Sequence, residues 1–141
     1  MTLNTLARPF LADIEEFRRR AQQDMEKGAV TDSYGLNVEE AVSVLNSVLA
    51  SEIVCVLRYK SHFYQAKGIH AEAVAAEFLQ HSNEEQAHAD RVAMRISELN
   101  GDPDLNPDGM ISRSAAQYGT GGGTLVEMIK EDLIAERVVV M

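Results

Sequence analysis

The chain's 141 residues, 45% of them hydrophobic, suffice for one domain with a real core, and the absence of tryptophan with only 3 prolines leans towards an all-α fold. A net charge of −9 argues against nucleic acid as a partner, because phosphate binding needs a basic surface. The single cysteine, Cys55, excludes an internal disulfide framework, and neither a secretory pattern after Met1 nor an apolar run of about 18 residues is evident, so the expectation is a cytoplasmic protein with no membrane partner.

The first predicted helix covers 8–27. Phe10, Ile14, Phe17, Ala21 and Met25 fall on one stripe, and Gly28 is a plausible stop. Such a helix suits the outside of a bundle or an oligomer contact. A connector follows over 29–36, so residues 1–36 form an N-terminal helix and connector ahead of a helical domain over 37–141.

Asn37 opens a long helix over 37–67 as an N-cap, with Glu40 three residues on. Val38, Val42, Leu45, Leu49, Glu52, Val56, Tyr59 and Phe63 step by four and three, the seam of an antiparallel helix packing. Gly68 ends it. A second long helix covers 70–99, its seam running Val74, Phe78, His81, Glu85, His88, Val92, Ile96 and Leu99. Asn100-Gly101 closes it and Pro103 prevents continuation. A long crossover without periodicity occupies 101–123, and Gly121-Gly122-Gly123 reads as a flexible lead into the next helix. A last helix covers 124–141, opened by a Thr124/Glu127 capping box, with Leu125, Ile129, Asp132, Glu136 and Val139 on one side.

Three seam residues do not belong in an apolar core. Glu85 and His88, at i and i+3, share one helix face, and Glu52 is the one charged seam member of the preceding helix. Two antiparallel helices joined by a tight turn bring residues equidistant from that turn to one level. The midpoint of 52 and 85 falls between Gly68 and Ile69, where the turn is read on separate grounds. Glu52 and Glu85 should therefore face each other. Two buried carboxylates repel, and a di- or trivalent cation converts that repulsion into binding energy. Carboxylate oxygen with imidazole nitrogen suits iron, with manganese the alternative, and the lack of paired cysteines argues against structural zinc. The ligand pattern is that of carboxylate-bridged di-metal proteins built in four-helix bundles. Of the other candidates, His81 reads as a core histidine or a hydrogen-bonding neighbour of the site. His62 and His70 read as surface residues, Asp132 as solvated or capping, and Cys55 as a small core residue.

The stretch Leu49-Ala-Ser-Glu52-Ile-Val-Cys-Val-Leu-Arg-Tyr59 resembles the first metal-binding helix of the bacterioferritins and related ferritin-like di-iron proteins. Glu85-Gln-Ala-His88-Ala-Asp-Arg91 is similar to their second-helix Glu-x-x-His signature, and Asp132-Leu-Ile-Ala-Glu136 to their third-helix segment. The resemblance runs from about Val38 to the end of the sequence. It implies a ferritin-like up-down helical bundle with an extra N-terminal helix. Glu52 and Glu136 would be terminal iron ligands, Glu85 a bridging carboxylate and His88 a nitrogen ligand. Tyr59 would be the catalytic tyrosine beside the centre, donating a proton or an electron while dioxygen oxidises Fe(II) to Fe(III).

Two departures stand out. Gln86 occupies the place of the family's haem-binding methionine, so no haem is expected. The family's fourth helix, with a second Glu-x-x-His, has no counterpart before Met141. The truncated fourth-helix region implies either a longer polypeptide or a homo-oligomer, a dimer or larger, in which a second chain supplies the missing ligands. The functional expectation is an iron-binding protein that oxidises or stores Fe(II), with a non-catalytic helical assembly module as the alternative.

Overall fold

The computed structural model describes residues 9–30, 34–119 and 123–141, with side chains from Ile14 onward. Arg8, the side chain of Phe10, the middle of the 29–36 connector and Gly121-Gly122 lie outside the described residues. The chain divides into two units, Met1–Gly35 and Leu36–Met141. Every regular element among the described residues is helical.

The first unit carries α1 (Pro9–Lys27), whose stripe residues Phe17 and Met25 stand exposed. Arg19 and Arg20 both pair with Glu16 on its surface, an arrangement that contributes little stability in water.

The second unit is built on an antiparallel hairpin of two equal helices, α2 (Val38–Gln65) and α3 (Ala71–Glu98). At the start of α2 the Asn37 side chain accepts the Glu40 N–H at 3.2 Å, as its position requires. Both helices start and end a residue or two inside the spans the sequence suggests. Ala66 turns extended at the end of α2, and Gly68 takes a positive φ of 114° that a side chain would resist. The predicted seam is the packed one. Leu49, Ala89 and Ile96 form one apolar cluster beyond Glu52. Ala50, Val54, Cys55, Tyr59 and Phe78 form another, shared with Met110, Ala116 and Met128 from later segments. Gly101, just past α3, lies so close to Val42 that an added Cβ would sit 2.7 Å from a valine methyl.

The expectation of no membrane-length apolar helix does not hold for α2, which by length and composition is long and apolar enough to cross a bilayer. The reason is its role as the central helix. It packs against α3, the crossover and α5, and its polar side chains Arg58 and His62 are buried against protein groups.

The crossover is tied to α2 at three heights. Asn46 brackets its start, accepting the Asp104 N–H at 2.8 Å and donating to the Asp102 carbonyl at 3.2 Å. Ser51 Oγ accepts the Ala115 N–H at 2.9 Å, and Arg58 donates to the Gln117 carbonyl at 2.8 Å. Within it lies a short helix that periodicity does not reveal, α4 (Met110–Arg113), which buries Met110. Asp104, Asn106 and Asp108 shape the preceding turn, and its carbonyls close around the Arg113 guanidinium. Then α5 (Leu125–Val140) starts with the full Thr124/Glu127 capping box. Its fully buried residues are Met128, Asp132 and Ala135; of the predicted stripe Asp132 is buried and Leu125 and Glu136 are partly buried, whereas Ile129 and Val139 are exposed.

Candidate metal centre

The equal distances of residues 52 and 85 from the hairpin turn place Glu52 on α2 opposite Glu85 on α3, with His88 one turn further along α3. One donor atom from each of Glu52, Glu85 and His88 lies within 4.8 Å of the others. The His88 Nδ1 is 3.2 Å from a Glu85 oxygen and 3.5 Å from Glu52 Oε2. Both carboxylates are only 12% exposed, whereas His88 is 44% exposed, so the two acids lie between the helices and the imidazole stands at the surface beside them.

Burial first, then hydrogen bonding and charge repulsion from Glu85, then the charge of Glu136, push the Glu52 carboxyl up to about 8, with Arg91 opposing. Its Oε2 is buried without a hydrogen-bond partner. A buried acceptor left unpaired is costly, and a cation is the species that satisfies an oxygen held between a second carboxylate and an imidazole. The donor set is hard oxygen with one borderline nitrogen, which fits iron or manganese.

Glu136 stands beside this cluster rather than in it. Its Oε1 accepts the Tyr59 hydroxyl at 2.7 Å, and its charge reaches Glu52. Burial and that hydrogen bond raise the Tyr59 phenol well above its usual range, so it is a neutral donor at ordinary pH. The Tyr59 ring stacks on His81, centroids 5.2 Å apart. His81 is half-exposed and 3.4 Å from Glu84, so it is not a core residue. Burial pushes the Cys55 thiol up to about 11, which keeps it protonated and inert, as a small core residue should be.

Two sequence expectations fail here. His62 is fully buried rather than at the surface, and Asp132 is buried rather than solvated. The cause is a residue that hydrophobic periodicity passes over, Arg58, only 1% exposed. Its Nε donates to Asp132 Oδ1 at 2.9 Å, and His62 Nδ1 meets Asp132 Oδ2 at 2.9 Å. The signal was present as two basic side chains at i and i+4 on α2, on the same helix as Tyr59.

A family model described as Ferritin-like domain matches residues 42–140. No curated protein matches the chain. Among solved structures, one similar chain is the bacterioferritin-related protein from Bacteroides fragilis, described as a dodecameric thioferritin. It is 27% identical with a TM-score of 0.71, over 74% of this chain and 63% of that one. Another is Dps from Thermosynechococcus elongatus, 22% identical with a TM-score of 0.69, over 72% of this chain and 65% of that one, a likeness that shows the fold alone. The present chain thus spans less than two thirds of the length of either.

Proposed function

The chain belongs to the ferritin-like domain family, and from that footing we propose that it binds iron as substrate at Glu52, Glu85 and His88, with Glu136 alongside, and oxidises or stores it. The single observation that carries this reading is the partly buried carboxylate pair with an imidazole at its rim, one of whose oxygens has no partner. Fe(II) entering this pocket would displace the proton that Glu52 otherwise retains. Anionic oxygen donors favour the trivalent over the divalent ion, so binding here would make the loss of an electron from Fe(II) to dioxygen, the oxidant, more favourable. Tyr59, held neutral against Glu136, has a proton to donate beside the site and fixes the orientation of that carboxylate. Manganese is the competing cation, since its oxygen-rich preference is the same.

The dodecameric description of the Bacteroides fragilis protein supports a homo-oligomer for this chain too. Exposed apolar side chains along α5, among them Leu133, Ile134 and Val140, offer surface for such an assembly.

Metal analysis of the chain purified without chelator tests the proposal. Bound iron or manganese that is lost in Glu52→Ala and Glu85→Ala is expected. A folded, metal-free oligomer that takes up no Fe(II) would instead favour the assembly-module reading.

A further inference from the structure

We infer that Arg58, His62 and Asp132 form a buried polar latch that positions Glu136, and through it the α5 side of the metal pocket; this rests on the iron-site reading above. The geometry is one of a helix held by few contacts. Only Met128, Asp132 and Ala135 of α5 are buried, and much of its remaining surface, including Leu133, Ile134 and Val138, faces outward. Two buried apolar residues, one of them alanine, with Leu125 partly buried at the helix start, cover little area, so they leave the rotation and height of α5 against α2 weakly specified.

The polar contacts supply that specification. Asp132 presents both oxygens to α2, one to Arg58 Nε and one to His62 Nδ1, each at 2.9 Å. Arg58 is 1% exposed, His62 0% and Asp132 5%, so each group is costly unless this pairing is kept. The arginine fork is planar, and its remaining nitrogens are engaged by the Gln117 carbonyl at 2.8 Å and Cys55 Sγ at 3.5 Å. It cannot rotate without breaking several contacts at once. Glu131, next in the chain, adds a carboxylate 3.3 Å from the far side of the His62 ring. Glu136 lies one helical turn beyond Asp132 on the same face of α5, as Tyr59 lies one residue beyond Arg58 on α2. Fixing the 58–132 pair therefore fixes the 59–136 pair, whose 2.7 Å hydrogen bond aims the Glu136 carboxylate. Arg58, His62 and Asp132 are positioning residues: none belongs to the cluster of candidate ligands.

The test pairs a metal-free measurement with a metal titration on the full chain. In the metal-free measurement, backbone hydrogen exchange is compared between wild type, Asp132→Asn and Glu136→Gln. Asp132→Asn is expected to speed exchange across 128–138 while α2 and α3 stay protected, and Glu136→Gln to leave α5 protected. Unchanged α5 protection in Asp132→Asn would overturn the latch. In the titration, Co(II) binding is followed by visible absorption. Asp132→Asn is expected to weaken binding by about 10–100-fold, in the range for residues that orient ligands. In the Glu136→Gln background the same change is expected to cost almost nothing further. Full additivity of the two losses would show that Asp132 does not act through Glu136. Arg58→Lys, which keeps the charge but loses the fork, guards against Asp132→Asn failing to fold. It is expected to show an intermediate loss at unchanged helix content, and wild-type binding in Arg58→Lys would count against the latch. If wild type itself bound no Co(II) or Fe(II), the iron-site reading would fall, while the exchange result would still decide the latch.

Discussion

At Glu52 the same burial and repulsion that favour a cation also set a pH response. The carboxyl titrates near 4.5 when unfolded and near 8 when folded, so between those values the native state holds more protons than the unfolded one. The stability this gives is complete below the unfolded value and is lost as pH rises through about 8. With chelator present, the urea midpoint is therefore expected to fall as the buffer moves from mildly acidic to mildly alkaline, and Glu52→Gln should flatten that fall. Metal-loaded chain should show the reverse slope, because bound cation requires the ionised carboxylate and its binding releases the proton. A midpoint of the metal-free chain that rises with pH in wild type but not in Glu52→Gln would refute the assignment of Glu52 as a carboxyl protonated through burial.

At the scale of the elements, the hairpin and the last helix are stabilised in different ways. Leu49, 1% exposed in the cluster with Ala89 and Ile96, should cost about 2–5 kcal/mol on Leu49→Ala, measured by denaturant unfolding. Thr124→Ala removes the capping box of α5 and should cost only about 1 kcal/mol, seen chiefly as faster exchange in its first turn. Gly101→Ala forces a methyl onto Val42 and should cost about 1–3 kcal/mol through overpacking. These elements also show how far the sequence carries. The seams of α2 and α3 are legible because apolar residues repeat along nearly eight turns, and the hairpin symmetry then pairs Glu52 with Glu85 without further information. The stripe of α5 is legible only in part, because its hydrophobic residues surround the helix and the deciding contact is polar. Periodicity places Leu125, Asp132 and Glu136 on the inner side correctly but adds Ile129 and Val139, whereas the Arg58–Asp132 pair turns Met128 and Ala135 inward. Helix α4 is missed for a related reason: four residues give no repeat, and side chains of α2 hold it in place.

At the scale of the whole molecule, cation binding and assembly are both linked to the folded state. A cation that binds only the folded chain raises its stability by about 2.7 kcal/mol at a free concentration one hundred times the dissociation constant. Fe(II) under anaerobic conditions should thus raise the melting temperature of wild type and leave Glu52→Gln nearly unmoved. Sedimentation should report a species larger than one chain, and charges placed by Leu133→Glu with Ile134→Glu should shift it towards the monomer. The most direct test of the site is anomalous diffraction at the iron edge from crystals grown with Fe(II). Iron binding as proposed requires a peak bonded to Glu52, Glu85 and His88, with the Glu136 carboxylate turned to it. A well-ordered structure with these side chains in place and no peak among them would contradict it.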